Sequence, residues 1–225
     1  MHVVLSVGGS AVVPEGKPNL EFLGKLMKIV KESKNSFGIV VGGGTPARTY
    51  ANAAKELGAS EFDADEIAIM STRQNAKLVI AAFGEMAYPH VVIDFDKAKE
   101  VAGNYKVIVM GGTIPGITTD TDTVLLAEAI GAKKLVNVSN VEAVYDSDPR
   151  KNPKAKKYSV MNYSELAELG AKNDTRTAGM NFVFDMVACK LIARSSIETH
   201  FVSWKNLDDL KNAIEGKKHG GTVVK

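Results

Sequence analysis

The amino-acid sequence predicts an α/β protein with a mostly parallel sheet, and three observations lead there. Short β-rich runs alternate along the chain with amphipathic helical stretches. Central runs such as 39–41 and 107–110 are apolar without alternation, as strands covered by helices on both faces are. Glycine pairs or triplets close three of the strands, at 8–9, 42–44 and 111–112.

Each element follows from local pattern. The apolar run 2–7 forms the first strand. Across 19–32, Leu23, Leu26, Met27 and Val30 recur at i, i+3, i+4 and i+7, the single buried face of a helix. A strand at 37–41 ends in Gly42-Gly43-Gly44, after which Thr45 reads as an N-cap with Pro46 at the first position of a helix reaching 57. A longer helix covers 65–83. Strands are expected at 90–94 and 106–110, followed by a helix at 120–130 whose cap would be Asp120. A strand at 134–138, a helix at 181–194, a strand at 198–203 and a helix at 207–214 complete the alternation. The segment 146–157, DSDPRKNPKAKK, carries two prolines and many charges and reads as a solvated surface loop. It also marks where an N-terminal half, about 1–135, would pass to a C-terminal half, about 136–225, within one compact unit of 1–225.

Composition excludes several function classes. The 28 Lys plus Arg against 26 Asp plus Glu leave a net charge of +2 over 225 residues, far from a coat for a nucleic acid polymer. One cysteine, Cys189, permits no internal disulfide, and the four histidines at 2, 90, 200 and 219 are scattered without metal-ligand spacing. No apolar run approaches the roughly 20 residues of a membrane span, and MHVVLSVGGS lacks the basic and small-residue marks of a signal peptide, so a cytoplasmic protein is expected.

The function signal is the placement of the glycines. In a parallel sheet the C-terminal ends of the strands share one edge, so the loops at 8–9, 42–44 and 111–116 converge on one crevice. Glycine lets backbone amides approach an anion closely, and a following helix adds its N-terminal dipole. Arg48, on the first turn of the helix after the second loop, is placed to pair with a phosphate. The third loop, GGTIPGITTD, offers the hydroxyls of Thr113, Thr118 and Thr119 as donors. A rival template also fits: Gly42, Gly44 and Ala47 match the dinucleotide fingerprint G-x-G-x-x-A, with Asp63 or Asp65 about 20 residues on. That acid would have to end the next strand, whereas Asp65 opens a helix.

Taken in order, VGGS at 7–10, VVGGGTPAR at 40–48, DEIAIMSTRQNA at 65–76, MGGTIPGITTD at 110–120, NVSNVEAVYDSDP at 137–149, FDMVACKLIARS at 184–195 and Gly-Gly-Thr at 220–222 resemble the amino-acid kinase superfamily, and within it the archaeal type of uridylate kinase. The resemblance implies a three-layer α/β/α sandwich, ATP-dependent phosphoryl transfer to UMP with Mg²⁺ as cofactor, and assembly as a homo-oligomer, a hexamer. It places Gly8, Gly9, Ser10, Gly44 and Arg48 on the ATP phosphates, and Ser139, Asn140, Tyr145 and Asp148 around the ATP nucleoside. It places Gly43, Thr113, Ile114, Pro115, Gly116, Ile117, Thr118 and Thr119 on UMP, with Asp65 on the ribose hydroxyls. Ser6 stands where many relatives carry a lysine, which leaves the positive charge for transfer to Arg48, Lys190 or Mg²⁺. Ala143 replaces a glycine of the usual pattern. Asp120 and Arg48 are the candidate catalytic residues, Asp120 organising the metal or the basic groups, with Asp185 ranked below. Mg²⁺ is expected to be held by the ATP phosphates rather than by a set of side chains. An isopentenyl phosphate kinase is the nearest alternative, but its histidine after the GGG loop has no counterpart in TPARTYANAA. A non-catalytic nucleotide or oxyanion-binding protein and a dinucleotide oxidoreductase are the other two.

Overall fold

The computed structural model describes residues 2–149, 152–172 and 184–225. In chain order the elements are β1 (His2–Val7), α1 (Gly9–Val12), α2 (Leu20–Glu32), β2 (Ser36–Val41), α3 (Gly44–Glu56), α4 (Glu61–Phe83), α5 (Phe95–Val101), β3 (Val107–Met110), α6 (Thr119–Ala129), β4 (Lys134–Ser139), β5 (Val160–Met161), α7 (Tyr163–Lys172), α8 (Met186–Ser195), β6 (Glu198–Ser203), α9 (Leu207–Glu215) and β7 (Thr222–Val224). The sheet runs β3-β2-β1-β4-β6-β7-β5. Its first five strands are mutually parallel, while β7 is antiparallel to β6 and carries β5 parallel to itself.

Period-two alternation within these all-buried strands sorts the side chains into two cores. Val3, Leu5, Val7, Ile39, Val41 and Val109 pack with Leu23, Leu26 and Val30 of α2, Ala76, Val79 and Ile80 of α4, and Leu210 and Ile214 of α9. Val4, Val40, Ile108, Met110 and Leu135 pack on the other face with Ala98 and Val101 of α5, Val124 and Leu126 of α6, Leu166 of α7 and Ile192 of α8. The result is the three-layer α/β/α sandwich expected.

Several local expectations are corrected. No strand forms at 90–94; Val92 makes one isolated bridge to Met110, and Asp94 instead caps α5, accepting from Lys97 N at 2.7 Å. The helix after the second glycine loop starts at Gly44 with Gly43 in the cap position, so Thr45 lies inside it. Thr118 rather than Asp120 caps α6, its side chain accepting from the amides of Asp120 and Thr121. The long helix starts at Glu61, where Ser60 and Asp63 form a reciprocal capping box, and not at Asp65. Residues 181–183 of the helix expected at 181–194 lie outside the described residues; α8 begins at Met186. Over its described residues, 146–149 and 152–157, the charged segment is the surface loop expected, with Asp146 N donating to Lys156 O at 3.0 Å and Lys156 N to Asp146 Oδ1 at 2.9 Å. The short β5 and β7 and the helices α5 and α7 carried too little pattern to be foreseen.

Candidate active site

Strand β1 lies between β2 and β4, so the order of connections reverses at the β1/β4 boundary, the position where open α/β sheets bind ligands. The first two glycine loops meet there. A Cβ on Gly9 would lie 2.0 Å from Gly44 N and 2.5 Å from Gly44 Cα, so the two loops touch backbone to backbone and no side chain fits between them. Gly44 itself has φ of 67°, the left-handed region glycine enters without strain. Gly8 N donates to Val138 O at 3.0 Å, which seats the first loop on β4 next to Ser139. Ser10 follows on α1, half-buried.

Helix α4 braces the second and third loops from behind. Asn75 donates to Gly42 O at 2.9 Å and Gly43 O at 3.1 Å. Thr72 Oγ1 accepts from Gly112 N at 2.6 Å, and Arg73 donates to Gly112 O at 3.1 Å and Thr113 O at 2.9 Å. None of these three positions was singled out from the sequence. The available signal was polar Thr, Arg and Asn in one turn of a helix whose other inward residues are apolar. Asp65, also on α4, accepts from Gly116 N at 2.8 Å, so the two segments assigned to the acceptor do come together. Ile114 is exposed, on the tip of this loop.

The third loop differs from expectation in its hydroxyls. Thr113 donates to Asp122 through both N (3.2 Å) and Oγ1 (2.6 Å), and Thr118 Oγ1 donates to Asp185 Oδ2 at 2.5 Å. Ionised carboxylates only accept, so these two hydroxyl hydrogens are already committed. Asp185 also caps α8 and accepts from Thr121.

Three carboxylates therefore surround the start of α6. Ser6 Oγ donates to Asp120 Oδ1 over a long 3.4 Å, and this is what stands where the lysine was absent. Desolvation and then the charge of Asp185 push Asp120 up to about 7. Asp122 is fully buried, and that burial, opposed by its bonds to Thr113 and by Arg73, pushes it up to about 6. Arg48 is exposed and, among the described residues, donates only to Thr45 Oγ1, at 3.3 Å. Lys190 is exposed on α8.

After β4, Ser139 Oγ closes a tight turn with Val141, and Tyr145 donates to Glu142 Oε1 at 2.7 Å. Burial and the Glu142 carboxylate push the Tyr145 hydroxyl up to about 12. Asn140 is exposed beside this turn, and the Asp148 carbonyl accepts from Asn152 N at 2.9 Å. Ala143 is buried without a positive φ, so the missing glycine costs the backbone nothing. The closing Gly-Gly-Thr clamps this region: Thr222 Oγ1 accepts from Val144 N at 2.8 Å and donates to Tyr158 O at 2.5 Å.

Loops from three parallel strands meeting at one sheet edge are suited to holding anionic groups on backbone amides. The dinucleotide template does not survive, since Gly42–Gly44 follows β2 rather than the first strand and Asp65 lies within α4. Residues 1–203 match the amino acid kinase family. The chain belongs to that family. Among other members, the uridylate kinase of Thermococcus kodakarensis is 46% identical over 226 residues, covering 100% of this chain and 99% of that one. The uridylate kinase of Archaeoglobus fulgidus is 40% identical over 224 residues, with both chains fully covered. A crystal structure of uridylate kinase from that organism superposes with a TM-score of 0.87 at 39% identity, covering 100% of each chain. A UMP kinase structure from Bacillus anthracis shares the family fold, with a TM-score of 0.82 at 20% identity over 99% of this chain and 95% of that one.

Proposed function

We propose that this chain is a nucleoside monophosphate kinase that transfers the γ-phosphoryl group of ATP to UMP, giving UDP and ADP. The observation that carries this reading is the end-to-end match to uridylate kinases, joined to a site whose glycine loops meet at the sheet edge. In the reaction a phosphate oxygen of UMP bonds to the γ-phosphorus as its bond to the β,γ-bridging oxygen breaks. The acceptor phosphate is already largely ionised near pH 7, so no general base is required and the protein's work is positioning and charge balance.

The roles divide between the halves about 1–135 and 136–225. Gly8, Gly9, Ser10, Gly44 and Arg48 hold the ATP phosphates, while Ser139, Asn140, Tyr145 and Asp148 frame its nucleoside. Gly43 and the loop from Ile114 to Thr119 hold UMP, Thr113 being spent on Asp122, and Asp65 takes the ribose hydroxyls, exchanging its bond to Gly116 N for them. Among the described residues no group of three or more His, Cys, Asp or Glu side chains is arranged to hold a metal ion. Mg²⁺ would arrive on the ATP phosphates, where it would supply charge neutralisation. Among the described residues, no helix is long and apolar enough to cross a membrane.

With ATP and Mg²⁺, UMP is expected to be turned over in preference to CMP, AMP and isopentenyl phosphate, with dUMP poorer because Asp65 then lacks a ribose hydroxyl to bond. Product analysis over that panel is the test, and equal or better turnover of AMP or of the ribose-free acceptor refutes the reading. Arg48→Ala is expected to lower kcat/KM at least tenfold, on the basis of roughly 1.5–3 kcal/mol for a charge-assisted hydrogen bond, with little change in melting temperature. Activity within twofold of wild type would leave Arg48 a surface residue.

The assembly is read as a homo-oligomer, a hexamer by resemblance. Val79 and Ile80 of α4 are core residues and cannot supply a subunit contact. Exposed apolar side chains include Tyr50 on α3, Leu57 at its C-cap, and Phe62 and Met70 on α4. Light scattering at micromolar concentration checks this; a fully active monomer refutes it.

A further inference from the structure

The acceptor-side loop hangs from two helices. Arg73 and Thr72 of α4 hold the Gly112 amide and the Gly112 and Thr113 carbonyls, and Asp122 of α6 holds Thr113 by both of its donors. Asp122 is 0% exposed, and the charged groups that act on it are Arg73 from α4 and Asp185 from the cap of α8, with Asp120 on its own helix. A carboxylate can only accept, so the Thr113 hydroxyl hydrogen is directed at Oδ1. What Thr113 then presents to an incoming group is oxygen lone pairs, the wrong polarity for a phosphate.

We propose that Asp122 is a positioning residue that withholds Thr113 from the acceptor phosphate, fixing the loop through Thr113 while weakening the grip on the nucleoside monophosphate. The inference rests on the reading of this loop as the acceptor site. Its chemistry is specific to the ionised carboxyl. An amide at position 122 would accept from Thr113 N through its oxygen and donate to Thr113 Oγ1 through its nitrogen, releasing the hydroxyl hydrogen toward the crevice. It would also remove a negative charge close to where a phosphate dianion binds. A residue that merely supported the loop would give the opposite result on substitution, since a loosened loop binds more weakly.

The test is calorimetric binding of UMP, and separately of ATP with Mg²⁺, to folded wild type, Asp122→Asn and Asp122→Asn/Thr113→Val. UMP is expected to bind Asp122→Asn about tenfold more tightly, with ATP affinity unchanged, and the added Thr113→Val is expected to abolish the gain. Unchanged or weaker UMP binding by Asp122→Asn overturns the proposal, as does a gain that persists without the hydroxyl. Should Asp122→Asn not fold, Thr113→Val alone decides: UMP affinity within about threefold of wild type is expected, and a loss of tenfold or more overturns the proposal by showing that the hydroxyl already serves the phosphate. Failure of wild type to bind UMP at all refutes the acceptor reading itself. Binding and turnover by wild type without the Asp122→Asn effect refute only the role of Asp122.

Discussion

Asp120→Asn is expected to lower kcat roughly a hundredfold while KM for ATP and for UMP stays within about threefold, by analogy with the loss of one electrostatic stabiliser. The substitution is nearly isosteric, and no capping role confuses the result because Thr118 is the cap of α6. Among the described residues the Asp120 carboxylate is hydrogen-bonded only by Ser6, over 3.4 Å, and it faces Asp185 and Asp122, so its charge is poorly compensated in the free protein. The same variant carries a stability signature of opposite sign. Its folded value of about 7 lies above the ordinary 3.8, so between these values the folded protein holds a proton that the unfolded chain has lost. That contribution is full below the ordinary value and disappears as pH rises through the folded one. The free protein is therefore expected to melt at a lower temperature at pH 8 than at pH 5, and Asp120→Asn is expected to melt higher than wild type at pH 8 with a flatter pH dependence. Parallel melts and steady-state kinetics check both halves. An unchanged kcat would remove Asp120 from the chemistry, and a steeper pH dependence in the variant would contradict the charge clustering.

Gly9→Ala is expected to cost about a hundredfold or more in kcat/KM and several degrees in melting temperature. The new methyl would meet Gly44 N at 2.0 Å, Gly44 Cα at 2.5 Å and Gly43 C at 2.7 Å, all backbone atoms that cannot rotate away. Forcing a methyl group into such a contact costs about 1–3 kcal/mol, and a displacement of about 1 Å between two loops of the proposed site can by itself cost about a hundredfold in rate. Gly24→Ala is the matched control. It lies exposed on α2 with nothing within 4 Å of the added Cβ, and alanine in a helix interior is more favourable than glycine by roughly 0.5–1 kcal/mol, so it is expected to be neutral or stabilising. Activity of Gly9→Ala within threefold of wild type would mean that the two loops are free to separate.

Much of the architecture was legible because it rests on patterns contained within a few residues. The unbroken apolar runs at 2–7 and 37–41, the heptad-like spacing of Leu23, Leu26, Met27 and Val30, and glycines directly after strands each report a local requirement of burial or backbone approach. Parallel pairing then follows from the alternation of strands and helices, and it places the three glycine loops on one edge. The expected strand at 90–94 failed for a related reason. Its apolar residues sit beside Met110, but Asp94 takes the amide of Lys97 and starts α5, and a side-chain cap won over strand propensity.

The partners of the site's polar groups were not legible in the same way. The acids and hydroxyls of 113–122 and Asp185 could all be read from the chain as candidate donors, acceptors or caps. Which hydroxyl serves a phosphate and which is spent on a carboxylate depends on groups 9 and 67 residues away being brought within hydrogen-bond distance. The bracing of two loops by Thr72, Arg73 and Asn75 likewise exists only once α4 packs behind them. The sequence by itself determined the layered fold, the convergence of the glycine loops and the family, because those depend on short-range periodicity and on residue types at fixed spacing. Only the tertiary structure decided the cap of α6, the commitment of Thr113 and Thr118, and the raised values of Asp120 and Asp122, because burial and the proximity of like charges are properties of packed neighbours rather than of any one stretch of chain.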